Sequence, residues 1–481
     1  MKYLSTILCL ILLIYCTSCS DFISKYNKSN DNNGEEDIIH KVFTPQFNLI
    51  TGEYKGSQII SITTTTIDAS IRFTTDGSTP SPNYGIIYEK PFIITSSSTI
   101  KAIAYKTGYV DSDIAITEYT ILPLGNIRIT NNSGVSLNPV SSWNGNEYAI
   151  VWLDNSDNNN ISEIFFTKVN NNGEKISNDI RITESNYQKL RPFIIWDNNN
   201  YAVVYEVNYS GFSQILFSKL ELDGTKIISD NAISDGNSIA WYPHIIFNED
   251  RYLITWYDSK NSNFEIYLKI IGINGNIIID STRLSNSTTA SRRPVIAWNG
   301  NDLGIVWEEN INPNSTLNYL SINRLGQIIY ESTITSISGV SAFTSIAYDN
   351  YSYALVWSDM RNGNAEIYFT KINSQGLKIL DDIRITVATG DSIFPSLVYN
   401  GQNFAISWQD NRSGNNEIYF ALINSEGLKL TNDINISNTL GVSQNPYLLW
   451  NGYEYALAWD DIIDNNREIF FTKINPDGSK Q

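Results

Sequence analysis

Apolar and polar residues alternate in short runs along most of the chain, and Gly, Asn, Asp and Pro interrupt the runs at regular intervals. That is the pattern of half-buried strands joined by tight turns. Slid against itself, the sequence matches at a period of about fifty residues, the mark of a repeat architecture. An aromatic position recurs at Trp152, Tyr205, Trp256, Trp307, Trp357, Trp408 and Trp459, and a glycine recurs at Gly173, Gly224, Gly275, Gly326, Gly376, Gly427 and Gly478. In the sixth copy, "SLVYNG", "NFAISWQD", "NEIYFALIN" and "LKLTNDINIS" read as four strands separated by turns. Four short strands per repeat predict one propeller blade each.

The two ends of the repeat region predict how the ring closes. The last copy stops at "DGSKQ", where its fourth strand is due, and the missing strand stands before the first copy. "LGNIRIT" (Leu124 to Thr130) mirrors "NDIRIT" (Asn178 to Thr183) and "DDIRIT" (Asp381 to Thr386). Residues 124–481 are therefore expected to form a seven-bladed β-propeller whose last blade takes this N-terminal strand as its outer strand, which leaves no open sheet edge.

Residues 43–121 carry a second strand-and-turn pattern without the repeat. At "IRFTTDGSTP" and "STIKAIAYKTGY" this segment resembles the Fn3-like domain at the C-terminus of chitobiases and β-hexosaminidases. The resemblance implies a small β-sandwich appended to catalytic domains, and it brings no catalytic residue with it. The expected fold class is all-β, a small Fn3-like β-sandwich followed by the propeller.

The first residues break the alternation. "MKYLSTILCLILLIYCTSCS" has one basic residue, Lys2, and then an apolar run too short to span a bilayer. Thr17 and Ser18 precede Cys19, which resembles a bacterial lipobox with Cys16 where Leu is usual. The resemblance implies a lipoprotein signal peptide over 1–18 and a lipidated Cys19, with each buried methylene of the lipid adding ~0.8 kcal/mol of membrane affinity. Residues 19–42 are polar and aperiodic and read as a flexible tether. The expected location is the cell envelope, lipid-anchored to a bacterial membrane, either the outer membrane or the cell surface.

Composition removes several functions. A net charge of −17 argues against nucleic acid as a partner. The three cysteines, Cys9, Cys16 and Cys19, leave the rest of the chain without a disulfide or a thiolate metal site, and His40 and His244 are the only histidines. No cofactor or metal is expected, and the chain is expected to be a monomer. The hairpin "WQDNRSGNNEIYF" places Asp410, Arg412 and Glu417 together, but its acids recur around the ring. The Asp position holds an acid in every copy except that of Val207, and the Glu position reads Glu163, Gln214, Glu265, Thr316, Glu366, Glu417 and Glu468. A catalytic pair needs individually tuned carboxylates, so these repeated acids point to turn chemistry and no catalytic residue is assigned. The oxygen-rich loops leave calcium open, although their spacing departs from a D-x-[DN]-x-[DN]-G loop. No S-x-D-x-G-x-T-W sialidase motif occurs.

Variation against a constant frame marks where a ligand could sit. The connection from each fourth strand to the next inner strand is expected to end at a Pro (Thr344 in one copy), and the residue before it should reach the channel mouth. Those residues are Asn138, Arg191, Tyr242, Arg293, Phe343, Phe394 and Asn445, with Trp241 and Arg292 one position earlier thickening the arc. Aromatic faces stack on sugar rings and Arg grips carboxylates or phosphates; the competing reading is that these side chains only fill gaps between blades. The expected ligand-binding set is Arg191, Trp241, Tyr242, Arg292, Arg293, Phe343 and Phe394. Blades of the form "WNG…W.D…EIYF" resemble bacterial surface lipoproteins, a resemblance that bears on fold and location and not on activity. The lipobox, the tether, the accessory β-domain and the lack of catalytic motifs together lead to the expectation of a binding or adhesion protein for a glycan, peptide or envelope protein. The alternatives are a glycan-processing propeller enzyme, a glycosidase or lyase, and a TolB-like protein-docking scaffold.

Overall fold

The computed structural model describes residues 40–156, 161–311, 314–337 and 341–481. The signal peptide, Cys19 and nearly all of the tether lie outside them. Among the described residues no helix is long and apolar enough to cross a membrane.

The chain folds as seven four-stranded antiparallel sheets behind a small β-domain. Within the first six blades the strands run outwards in sequence order, and in the last blade the outer strand is the N-terminal Ile127–Arg128. In the second blade they are Gln188–Trp196, Tyr201–Asn208, Ser213–Leu220 and Lys226–Ala232. The recurring aromatic sits on the second strand and is buried in every blade, with Trp152, Trp357, Trp408 and Trp459 wholly inaccessible. It packs against the neighbouring blade: Trp152 lies in one apolar cluster with Ala456 and Phe471 of the last blade. Burying a side chain of this size contributes roughly 1.5–3 kcal/mol per blade, so the ring is held mainly between blades.

The repeated acids are structural pegs. Trp152, Trp256, Trp357 and Trp408 donate their indole N–H to the Asp two residues on, at 2.9–3.3 Å. In the opening hairpin, Arg412 clamps Asp410 at 2.8 and 2.6 Å and reaches Asp433 at 2.8 Å. In four blades the repeated Glu, at Glu163, Glu265, Glu366 and Glu468, accepts from a Ser or Thr and from an Arg at the outer strand, whereas Glu417 accepts from Ser437 without an Arg. The closing strand repeats this chemistry. Ile127–Arg128 pairs with the last blade, Arg128 donates to Glu468 at 2.9 Å, and Thr130 donates to it at 2.5 Å. Closure thus uses the same bonds as the first, third and fifth blades.

The small domain has a five-stranded sheet, in which Gly52–Lys55 runs parallel to Ala115–Leu122, and two short two-stranded sheets. Its core comprises Ile60, Ile71, Phe73, Ile100 and Tyr119 among others. Val42 is buried in that core and Lys41 bridges to Val110, so the folded domain starts before Phe43 and the expected tether over 19–42 ends earlier.

Candidate functional site

The seven inner strands share one irregularity that builds the channel mouth. Each has a register shift at the residue before the Pro position, such as Leu190/Phe193 and Arg292/Val295. The bulged residue adopts the left-handed backbone in every blade, from φ 48° at Arg191 to φ 62° at Phe343. The following Pro fits because a bulge leaves its missing N–H without a ladder partner. A non-glycine residue in this conformation costs about 1–2 kcal/mol. All seven positions nonetheless keep a side chain, and five keep a large one.

These side chains line a cavity of about 330 Å³ at the ring axis. Arg191, Tyr242, Arg293, Phe343 and Phe394 all face it, together with Asn138, Asn445 and His244. The Arg191 guanidinium lies 4.0 Å from the Tyr242 ring centroid, Arg293 lies 4.7 Å from that of Phe343, and the Phe343 and Phe394 rings are 3.9 Å apart. The result is an arc of stacked cations and rings, each half-buried.

Trp241 and Arg292 do not line this cavity, which corrects their place in the expected arc. The bulge turns adjacent residues to different sides. Trp241 instead stacks on Phe264 at 5.6 Å, and Arg292 lies over the same ring at 5.2 Å, beside the loop between second and third strands.

Sequence reasoning missed the carboxylates beneath the mouth. The residue after the anchor aromatic varies from blade to blade, and it is Glu206, Glu308 and Asp460 in three of them. All three are fully buried. Arg191 donates to Glu206 at 2.7 Å, Arg293 to Glu308 at 2.8 Å, and Asn445 to Asp460 at 2.8 Å. The acids also hold the next blade's bulge: Phe343 N–H donates to Glu308 at 2.6 Å and Asn138 N–H to Asp460 at 3.0 Å. Each therefore ties a side chain of its own blade to the strained backbone of its neighbour. The variability of that position was the available signal.

Burial pushes the Glu206 carboxyl up to about 7, against the pull of Arg191, and its Oε1 has no hydrogen-bond partner. Burial also raises Glu308 and Asp460, with Arg293 and Arg467 as the main opposing influences. Desolvation works against the Arg191 and Arg293 guanidiniums as well, but their carboxylate partners hold both above the ordinary value, so both stay cationic. His244 is pushed down to about 4 by burial and stands neutral in the cavity wall, its ring 4.4 Å from Phe193. No group of three or more His, Cys, Asp or Glu side chains able to hold a metal ion occurs among the described residues.

Comparison with known proteins supports the identity of the small domain. Residues 50–117 match the model of the Chitobiase/beta-hexosaminidase C-terminal domain. No curated protein matches the chain. Among solved structures, the chain is similar to an acylaminoacyl peptidase of Pyrococcus horikoshii at 11% identity and TM-score 0.46, covering 72% of this chain and 52% of that one. It is also similar to a subtype N10 neuraminidase-like protein of A/little yellow-shouldered bat/Guatemala at 11% identity and TM-score 0.42, covering 72% of this chain and 97% of that one. A Trypanosoma rangeli sialidase gives 9% identity and TM-score 0.43 over 72% of this chain and 58% of its own. The chain spans about half the length of the peptidase. Likeness at this distance says nothing about activity.

Proposed function

We propose that the protein is a lipid-anchored cell-envelope binding protein whose channel mouth receives an acidic glycan or a similar small anionic ligand. The observation that carries this reading is the pair Arg191 and Arg293 flanking Tyr242 at the rim of an aromatic cavity open to solvent. Each guanidinium places only one nitrogen on its buried carboxylate, so further donors remain for a ligand carboxylate, while the rings offer stacking faces to a sugar. A protein-docking scaffold would favour a broad apolar patch, and the mouth is a small cleft instead. The lipid anchor at Cys19 and the envelope location belong to this proposal and rest on the N-terminal motif.

The test is binding of acidic and neutral oligosaccharides to the protein and to Arg191→Ala/Arg293→Ala. Loss of acidic-sugar binding in the double variant supports the mouth, and undiminished binding removes it from the mouth. A second reading, glycan cleavage, is favoured by one group. Burial raises the Glu206 carboxyl to about 7, in the range an acid catalyst needs, directly beneath the Arg191 that faces the cavity. Turnover of any bound sugar that Glu206→Gln abolishes would establish it; binding without turnover would leave the protein a receptor.

A further inference from the structure

The opposite end of the ring holds a second cleft of different chemistry. It has a volume of about 400 Å³ and lies where the small domain meets the first and last blades. The small domain contributes Asn48, Leu49, Gln58, Ile59, Ser61 and Pro91. The propeller contributes Trp143 and Asn146 from one turn, Asn170 to Asn172 from another, and Tyr453 from the last blade. No charged side chain lines it.

The lining is specific to this seam. The turn "VNNNG" (Val169 to Gly173) has an asparagine run where the other copies read, for instance, "LDG", "RLG" or "SEG". Several of its polar groups have nothing to bond. Asn171 Oδ1 is buried and without a partner. Among the described residues the side-chain amides of exposed Asn146 and half-buried Asn172 have no protein partner and remain free for a ligand, while Asn170 and Asn48 are already engaged. Trp143 and Tyr453 are half-buried aromatics on either side.

The charges close to the cleft are sealed beneath it. Lys473 and Glu454 form a 3.0 Å ion pair with both side chains wholly inaccessible. Lys473 also donates to the Asn171 carbonyl at 2.6 Å and to the Ser57 carbonyl at 3.0 Å. Glu454 accepts from Ser57 and from Gln481, the latter at 2.7 Å, and Gln481 accepts from the Ser57 N–H at 2.7 Å. This network joins the small domain, the first blade and the last blade in one rigid seam. It positions the asparagine turn and leaves the cleft neutral.

Unpartnered amides between two aromatic faces, with no net charge, match the hydroxyl-rich edges and apolar faces of uncharged sugars. Pockets at domain junctions are also common ligand sites. We infer that this interdomain cleft is a second binding site, specific for a neutral glycan, separate from the channel mouth and independent of what the mouth binds.

The test uses the full-length protein with chitohexaose and maltohexaose as neutral probes and an oligogalacturonate as the acidic one. Trp143→Ala should weaken neutral-sugar binding about tenfold. Because Trp143 packs on Tyr148, Asn146→Ala/Asn172→Ala serves as the second variant; it alters only partly exposed amides and should produce the same loss with an unchanged melting temperature. Arg191→Ala/Arg293→Ala should leave neutral binding intact. Failure of both neutral probes to bind at about 10 mM, a Kd weaker than any useful affinity, overturns the inference. So does neutral binding that the mouth variant removes and the cleft variants do not. Loss of oligogalacturonate binding alone bears on the mouth and not on this cleft.

Discussion

The two ends of the propeller place charge in opposite ways. At the mouth, Arg191 and Arg293 keep 33% and 27% of their side-chain surface exposed while their carboxylate partners are fully buried. At the seam, Lys473 and Glu454 are both at 0%. The first arrangement presents cations to a ligand; the second hides both charges and uses them to fasten domains. A salt bridge in a structure thus carries no function by itself. What counts is which partner keeps a free donor at a cavity wall.

Breaking the seam should have the largest effect. Lys473→Ala leaves Glu454 buried without its cation and should lower stability by about 3–5 kcal/mol, read from thermal or denaturant unfolding. Lys473→Met with Glu454→Leu removes both charges and should lose much less, which would separate charge burial from packing. If the single and double variants lose equally, the seam is held by shape alone.

The mouth comes next. Arg293→Ala strands Glu308 in the same way, but the half-exposed cavity lets water reach the carboxylate. The expected loss is smaller, about 1–3 kcal/mol, with a fall of tenfold or more in acidic-sugar affinity. Glu308→Gln with Arg293→Gln should recover most of the stability and none of the affinity.

A milder distinction is pH. The folded-state carboxyl of Glu206 lies at about 7, above its ordinary 4.5, so its contribution to stability is full below pH 4.5 and is lost as pH rises through about 7. Below about 7 the neutral Glu206 leaves Arg191 unopposed, and acidic-sugar affinity should rise about fivefold between pH 8 and 6. Glu206→Gln should abolish that dependence. His244, already neutral down to about 4, contributes nothing over this range. Binding at the seam should be flat across it.

The smallest change in stability is expected at Phe394. Phe394→Gly relieves a left-handed backbone but removes a ring contact with Phe343 worth about 0.5–1.5 kcal/mol. Melting temperature should move little while affinity at the mouth falls, the behaviour of a side chain kept for its ligand. A large loss of stability would return Phe394 to the core.

Blade number, strand order and closure were legible because Trp152 and its six counterparts fall at one period, and because Arg128 and Thr130 repeat the chemistry of Arg181 and Thr183. The residues at the mouth were legible too, since a Pro fixes the bulge and so the direction of its neighbour. Trp241 and Arg292 were misplaced because one residue of bulge reverses the side to which the next residue points, which no periodicity records. Glu206, Glu308 and Asp460 were overlooked although they stand beside the anchor aromatic, because only depth in the fold distinguishes a buried acid from a surface one.

By itself, then, the sequence determined the repeat, the ring and its closing strand, since these follow from local alternation and from recurrence along the chain. Tertiary structure decided how Arg191 and Arg293 are paired, what burial does to Glu206, and that Ser57 meets Gln481 to form the seam. Ser57 and Gln481 stand hundreds of positions apart, the arginines and their carboxylates meet across adjacent strands only 15 residues apart, and desolvation depends on everything packed around a group rather than on its neighbours in the chain.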